Sequence, residues 1–526
     1  MSEQGLKVMR RTGVVGGLGA ALVMLAVMLF VRVILGIPSL PEMLADAVTQ
    51  IVPLPVFSAL LGALENNAKP LLLAGILLGH LIMGMVLGLV YARVWGGSSL
   101  GSSRRLGLLV PWSGGLLLAA LLWLLAVLAV MPAAGAGFLG VSSRPGPVSM
   151  ALSTLASSLA FGVALVIFFQ GILAVQPEMS VELPQVDRDR RALILKLASV
   201  PVVLLIGGAL WQLLGKQMGA DLQEMGSALR TSGTGLLPDE ITANADFYTV
   251  SKNFGDPVVD IQKWNLDLKD QAGRRLTLSY GDLKSLPSVE QVATLMCISN
   301  EVGGDLIGNA MWTGVRLRDL LARLGSVDAD RVVFKAWDGY SDSIPFDKAM
   351  QDGTILAYLM NGESLPDAHG YPARLVVPGI YGMKNVKWVT AIELVDGDFR
   401  GYWQERGWSN VATIKTMSRF DVPARGSTLP LAPLSLGGIA FAGDRGISKV
   451  EVSPNAGNTW LQMNIKEALS PYAWSLWTGQ WLPTEPGDYV LLARAWDKSG
   501  QVQDRKDTST LPDGASGYDG LSLTLR

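Results

Sequence analysis

Apolar residues crowd into the first 215 positions of the chain. Five runs there, residues 13–36, 70–90, 106–130, 149–175 and 197–214, each predict a membrane-spanning helix. Each has about the 18 or more residues needed to cross the hydrocarbon core of a bilayer. Pro111 and Pro201 fall inside spans, where lipid leaves the backbone no alternative to a helix. Arg32, near the end of the first span, is expected to snorkel to the interface. Residues 38–58 are apolar but broken by Pro53 and Pro55, a pattern for an interfacial or re-entrant segment. Basic residues set the expected orientation. Lys7, Arg10, Arg11, Arg93, Arg104, Arg105, Arg188, Arg190, Arg191 and Lys196 flank one side, and only Lys69 and Arg144 the other. Ten against two places the N-terminus in the cytoplasm and, after an odd number of spans, everything beyond Lys216 outside it.

Past the membrane domain (1–216) the pattern changes. Residues 217–240 are polar and rich in Gly and Ser, a linker. Residues 241–421 read as mixed α+β. Leu317, Leu320, Leu321 and Leu324 at helical spacing predict an amphipathic helix over 315–324, stopped by Gly325. Residues 332–336 and 374–377 read as buried strands. Residues 422–526 are strand-rich: 449–453 alternates, 455–458 is a turn and 489–496 is another strand, which together suggest a β-sandwich.

Composition sharpens this picture. The 526 residues suggest three or four units, at roughly 100–200 residues each. Charged residues are only 17%, against a usual share of about 25%. The mean hydropathy is +0.34. The 43 basic and 45 acidic residues give no electrostatic basis for nucleic-acid binding. A single cysteine, Cys297, excludes an intrachain disulfide, a cysteine-rich zinc site, an iron–sulfur cluster and a CxxCH haem attachment. Two histidines, His80 and His369, exclude a His-rich metal centre, and only His80 lies in a span. It either contacts a proton or quinone or bonds a neighbouring helix.

Cys297 begins the stretch CISNEVGG. Adjacent glycines after a strand let backbone approach a bulky ligand, and a thiolate is a soft, strong donor to a transition metal. The bland reading is a buried small hydrophobe. A second cluster, HGYPARLVVPGIYGMKNVKW, holds four candidate cations, His369, Arg374, Lys384 and Lys387, with Gly379 and Gly382 between them. An arginine fork, lysines and backbone amides suit a phosphate-bearing ligand, although a basic solvated loop has the same composition.

With TLMCISNEVGG, IGNAMWTGVRLRDLL, LAYLMNGESLP, the cluster above and GYWQERGW, residues 242–421 resemble the molybdopterin-binding domain of the sulfite oxidase family. GGIAFAGDRGISKVEVSPNAGNTW resembles that family's immunoglobulin-like dimerisation domain. The resemblance implies a membrane-anchored molybdenum-cofactor oxidoreductase that moves one oxygen atom and two electrons. Cys297 stands at the family's molybdenum ligand. His369, Arg374 and Lys387 stand where the pterin and its phosphate are held, with Lys384 in the same loop, and Phe247 and Tyr248 match the aromatic segment that covers the pterin. The family's oxyanion-binding arginine is replaced by Val302, its catalytic tyrosine by Trp408, another arginine by Val250 and a pterin-contacting histidine by Lys252. Sulfite is therefore not the expected substrate, because a dianion needs fixed cationic donors. The pattern is closer to the bacterial branch with methionine-sulfoxide reductases. Trp312, Tyr340 and Trp408 form either an aromatic pocket for a neutral oxo donor or acceptor, or ordinary core.

The resemblance implies cofactor insertion before export. Arg190–Arg191, directly before the fifth span, resembles a twin-arginine signal used internally, and also serves as positive-inside charge. Electrons would pass through a separate cytochrome or quinone at the inner membrane, and the sandwich implies a homodimer. Two other readings stand beside this one: an inactive partner-binding scaffold that keeps the pterin fold, and a transporter with a sensor domain.

Overall fold

The computed structural model describes residues 3–35, 37–52, 56, 68–96, 106–134, 136–140, 146–175, 237–253, 256–325 and 328–526. It divides into two units, Met1–Gly219 and Ala220–Arg526.

The first unit is helical. Its elements are α1 (Glu3–Leu35), α2 (Leu40–Ile51), α3 (Ala68–Trp95), α4 (Leu106–Leu125) and α5 (Pro147–Val175). Among the described residues four stretches are long and apolar enough to cross a membrane: Leu6–Leu35, Leu71–Trp95, Trp112–Ala133 and Pro147–Leu173. The fifth predicted span and Arg190–Arg191 lie outside the described residues. α4 runs on through a π-helical turn, Ala126–Val130, in which Met131 N–H bonds the Ala126 carbonyl. Pro132, next along, has no N–H to give, so the ladder shifts by one residue here. Helices α1 and α3 meet through glycines: a Cβ on Gly13 would stand 2.6 Å from the Gly88 carbonyl oxygen. In lipid such small residues allow the backbone contact that holds helices together. The His80 ring nitrogen Nε2 lies 3.1 Å from the Ala21 carbonyl, a bond to a neighbouring helix.

The segment after α1 corrects one expectation. α2 carries a capping box, with Glu42 N–H on Ser39 Oγ (3.4 Å) and Ser39 N–H on the Glu42 carboxylate (2.6 Å). That fixes Glu42 so that Arg32 Nε donates to it at 2.9 Å. Arg32 is paired, rather than simply snorkelling.

The second unit is built on four sheets. One has the order β2–β1–β10–β5–β6, from β1 (Asn265–Lys269), β2 (Arg275–Ser279), β5 (Arg331–Ala336), β6 (Ser341–Pro345) and β10 (Val389–Val395). Another runs β3–β4–β7–β8 with β9 on β7, from β3 (Val289–Met296), β4 (Ile307–Arg316), β7 (Ile355–Met360), β8 (Glu363–Ser364) and β9 (Arg374–Val376). Alternation explains them: in β1, Leu266 and Leu268 point inward while Asn265, Asp267 and Lys269 stay in water. The predicted 315–324 helix is shorter than its pattern. Residues 315 and 316 belong to β4, and a short helix, Leu317–Leu321, passes into a 3-10 turn, Ala322–Leu324. Gly325 ends it at φ +93°, where a Cβ would be strained. All four predicted leucines are buried.

From Met417 onward two further sheets share one core. One is β11–β13–β17–β16, from β11 (Met417–Val422), β13 (Leu434–Phe441), β16 (Asn464–Ile465) and β17 (Ser475–Trp481). The other is β12–β19–β18–β14–β15, from β12 (Ser427–Leu429), β14 (Ile447–Ser453), β15 (Leu461–Gln462), β18 (Gly487–Asp497) and β19 (Asp519–Leu525). Phe420 and Trp477 of the first pack with Val450 and Leu491 of the second.

Candidate active site

Cys297 follows the last residue of β3 and is buried. The loop it opens folds back on itself. Cys297 N–H bonds the Leu306 carbonyl (2.9 Å), Asn300 N–H the Cys297 carbonyl (3.1 Å) and Gly304 N–H the Glu301 carbonyl (3.0 Å). Leu306 N–H closes it on Asn300 Oδ1 at 2.8 Å. The thiol is aimed by Ser299 N–H, 3.4 Å from Sγ. Burial pushes the Cys297 thiol up, and the backbone N–H groups only partly oppose this. A thiolate here therefore calls for a strong local positive charge such as a metal ion.

A second set of residues converges beside it. Phe247 stacks on Tyr248 (ring centroids 5.4 Å apart) and meets Trp312 and His369 edge-on at 5.8 and 5.5 Å. The Arg374 guanidinium lies 5.0 Å over the Trp312 ring. It donates to the His369 carbonyl (3.1 Å) and the Asn385 carbonyl (3.4 Å). Lys387 donates to the Ala368 carbonyl at 2.9 Å. Tyr248 links this cluster to the thiol: burial, then the nearby Cys297, raise its hydroxyl well above the usual range, and Arg374 opposes them. Backbone closeness does the rest. A Cβ on Gly382 would stand 2.8 Å from the Tyr248 hydroxyl, and Gly370 (φ +107°) lies against Arg374 and Lys387.

Three expectations need correction. His369 is not a cation. Burial, with Arg374 and Lys387 nearby, holds it down to about 3. Its Nε2 faces the Asn244 carbonyl at 3.2 Å, so the neutral Nε2–H tautomer is the one that fits. Arg374, by contrast, is lowered by burial only to about 10 and stays charged at neutral pH. Lys384 does not face the cluster. Its three protons go to Asp342 Oδ1 (2.7 Å), the Ser343 carbonyl (3.0 Å) and Asn410 Oδ1 (3.0 Å). Trp312, Tyr340 and Trp408 do not line one pocket. Trp312 is fully buried and donates to the Ala293 carbonyl at 3.0 Å, so it is the floor beneath Phe247 and Arg374. Tyr340 belongs to another core and its hydroxyl serves Asp342 (3.0 Å) and the Met383 carbonyl (2.8 Å). Tyr402 and Trp403 connect it to Trp408 by ring contacts of 6.0, 5.0 and 6.3 Å.

Lys252 is turned to Asn253 Oδ1 (2.8 Å) and the Asp338 carbonyl (3.1 Å), and Val250 is exposed. Sequence reasoning missed Asn244, Asn385 and Tyr381. Asn385 Oδ1 takes Val377 N–H at 2.6 Å and so ties the glycine-rich loop to β9. Tyr381 and Asn385 lie inside the HGYPARLVVPGIYGMKNVKW cluster but are uncharged, and Asn244 stands three residues before Phe247, so none carried a charge signal of its own. Beside Met296 a small cleft, with about 20 Å³ of free space, is lined by residues including Asn300, Val302, Tyr381, Lys415 and Gln503.

The folded-state histidine gives a pH prediction. Between pH 6.5 and about 3 the unfolded chain binds a proton at His369 that the folded chain refuses. Stability must then fall as pH drops through that window. Thermal unfolding between pH 7 and pH 5 is expected to show a smaller loss in His369→Gln than in the wild type.

Comparison with known proteins agrees with this geometry. Residues 253–403 match the oxidoreductase molybdopterin binding domain, and residues 411–512 match the Mo-co oxidoreductase dimerisation domain. The oxidoreductase YuiH of Bacillus subtilis is 31% identical over 150 residues, 28% of this chain and 74% of that protein. The mitochondrial sulfite oxidase of Rattus norvegicus is 30% identical over 313 residues, 50% of this chain and 57% of that protein. That of Drosophila melanogaster is 28% identical over 326 residues, 52% of this chain and also 57% of that protein. The chain thus spans little more than half the length of these sulfite oxidases. The crystal structure of the sulfane dehydrogenase SoxCD from Paracoccus pantotrophus aligns with a TM-score of 0.49 at 24% identity, over 56% of this chain and 83% of that one. The chain belongs to the sulfite oxidase family of molybdopterin-binding oxidoreductases.

The residues present fit that family's cofactor. Arg374 Nε is buried with no acceptor, aimed from a cluster that already holds a second cation in Lys387. Among the described residues no three His, Cys, Asp or Glu side chains converge on a metal position.

Proposed function

We propose that this chain is a membrane-anchored molybdenum oxidoreductase that transfers one oxygen atom, with two electrons, to or from a small neutral substrate outside the cytoplasm. The observation that carries the reading is the chain's one thiol, buried beside an aromatic and cationic cluster. Cys297 would ligate the metal. Arg374 and Lys387 would hold the pterin phosphate, His369 would act as a neutral hydrogen-bonding partner, and Phe247 and Tyr248 would cover the ring system. When bound, the cofactor supplies a metal that changes oxidation state by two electrons. The chain's own residues bind, orient and keep water out.

The charge lining the cleft, rather than its size, favours a neutral substrate. Its only ionisable lysine and carboxylate are Lys415 and Glu301, one of each sign, and Val302 stands in its wall. Lys415 is already turned to the Gly514 carbonyl at 2.6 Å. A dianion entering such a site would lose its hydration without gaining fixed donors. We read residues 241–421 as the catalytic domain and 422–526 as an immunoglobulin-like sandwich, with β11 (Met417–Val422), which straddles that boundary, belonging to the sandwich sheet. The dimerisation-domain match supports a homodimer. A separate cytochrome or quinone serves as electron partner, and the membrane unit (1–216), with its N-terminus cytoplasmic, joins through the 217–240 linker. We assign Arg190–Arg191 to twin-arginine export.

The full chain, assayed with a dye electron carrier against sulfoxides, N-oxides and sulfite, tests this. Neutral oxides are expected to exceed sulfite in kcat/KM by at least about 100-fold, roughly the 3 kcal/mol that a charged group loses when it is desolvated without partners. Sulfite turning over as well as the neutral oxides sinks the substrate assignment.

A further inference from the structure

The loop that begins at Cys297 ends on two glycines, and both press against buried charge from the sandwich. Arg419, on β11, donates from Nη1 to the Gly304 carbonyl at 2.7 Å. Its Nε pairs with Asp421 Oδ1 at 3.0 Å, and both side chains are almost wholly shielded from water. Beside them Arg425 grips both Asp519 oxygens, at 2.7 and 2.6 Å, and also bonds the Gly520 carbonyl. Asp519 in turn accepts Phe420 N–H at 2.8 Å. Gly303 sits at φ +74°, and a Cβ there would come within 2.5 Å of Asp519 Oδ1 and 2.8 Å of the Arg425 guanidinium. No side chain fits between the loop and this quartet.

Two arginines and two aspartates make a neutral group; Arg425 keeps about a third of its side chain in water, but Arg419, Asp421 and Asp519 are buried, and taking them out of water is costly. An apolar contact of the same size would stabilise the fold at least as well. What the charges add is direction: Arg419 reaches one backbone oxygen at one angle. Asp421 Oδ2 is left buried without a partner, so the arrangement is not one of maximal stability. The four hydrogen bonds that close the 297–306 loop turn it into one rigid piece, so what holds Gly304 also holds Cys297. The cleft lies along this junction, with Asn300, Val302 and Gly303 on one side and Met417, Ser418 and Gln503 on the other.

We propose that Arg419, oriented by Asp421, is a positioning residue: through the Gly304 carbonyl the sandwich sets the place of the Cys297 loop and the width of the cleft. The sandwich then works in cis on the site of its own chain, whatever its role in assembly.

The test is hydrogen exchange of the peptide 297–306 in the full chain, followed by mass spectrometry. The variant is Arg419→Met combined with Asp421→Leu, which removes the pair as a unit and leaves no lone buried charge. Its loop amides are expected to exchange at least about tenfold faster while β13 and β18 keep their protection. Alkylation of Cys297, the only thiol, in chain made without cofactor is expected to accelerate by a similar factor. Unchanged loop exchange and unchanged alkylation in a folded variant overturn the proposal. If the double variant fails to fold, Arg419→Lys decides alone. It keeps a positive charge beside Asp421 but gives up the guanidinium reach to the Gly304 carbonyl, and faster exchange confined to 297–306 supports the proposal while unchanged exchange overturns it. Neither readout needs turnover, so the oxygen-transfer reading can fail without deciding this one.

Discussion

Cys297→Ser is expected to lower oxygen-transfer turnover by at least about 100-fold while leaving the fold in place. The reason lies in the donor atom. A thiolate is soft, polarisable and anionic, whereas a serine hydroxyl is hard and stays protonated near neutral pH. Changes one shell further out already cost about 10–100-fold in metal sites, so loss of the single protein donor should cost no less. The fold should hardly notice. Cys297 is small, Ser299 N–H can donate to either atom, and the loop is closed by main-chain and Asn300 bonds that the substitution does not touch. The stability change should stay within about 1–2 kcal/mol. X-ray absorption at the molybdenum edge checks the chemistry directly, since the variant should show one sulfur neighbour fewer than the wild type. An unchanged sulfur count would mean that the thiol is only a buried hydrophobe, and the proposed reaction would lose its anchor.

What could be read from the chain depended on whether a feature was local. Four of the five apolar runs were legible as long helices because spanning lipid is a one-dimensional length constraint, and residues 70–90 sit well inside α3, Ala68–Trp95; the fifth lies outside the described residues. The cysteine was legible because it is unique. The motif around it needed only neighbours within ten residues, and those are the residues that close the loop. Electrostatic roles were not legible. The spacing of His369, Arg374, Lys384 and Lys387 implied four cations facing one ligand. Burial neutralises the first, and Lys384 turns to an aspartate 42 positions away. Arg32 likewise found Glu42 only because the next helix folds back on its cap. Aromatic residues carried the same ambiguity: Trp312 and Tyr340 looked alike in the sequence and fell into different cores. The Arg419 contact, which spans 115 positions to Gly304, left no trace in the motifs at all.

Lys384 and Asp342 carry the largest expected effect on stability. Each side chain is about 1% exposed and they meet at 2.7 Å. Burial pulls the lysine down and Asp342 pulls it back up. Breaking such a pair from one side leaves a charge stranded in the interior, at a cost of roughly 3–5 kcal/mol. The two halves should differ. Lys384→Met leaves the carboxylate three other donors: Tyr340 Oη at 3.0 Å, Ser343 N–H at 2.7 Å and Gln404 Nε2 at 3.2 Å. Asp342→Leu removes the ammonium's counter-charge, leaving it only the Ser343 carbonyl and Asn410, and takes an acceptor from those three donors at once, so it should be the more damaging. Changing both at once removes both charges and should cost clearly less than the sum of the single changes. The damage should also reach the site. Tyr340 holds the Met383 carbonyl as well as Asp342, and Gly382, one residue earlier, lies against Tyr248. Thermal unfolding of the two single variants and the double variant measures the coupling, and pterin content after purification measures the loss at the site. Asp342→Leu should retain the least cofactor. If the two single changes are mild and additive, the pair is solvated in solution and the loop that carries Lys387 is held by something else.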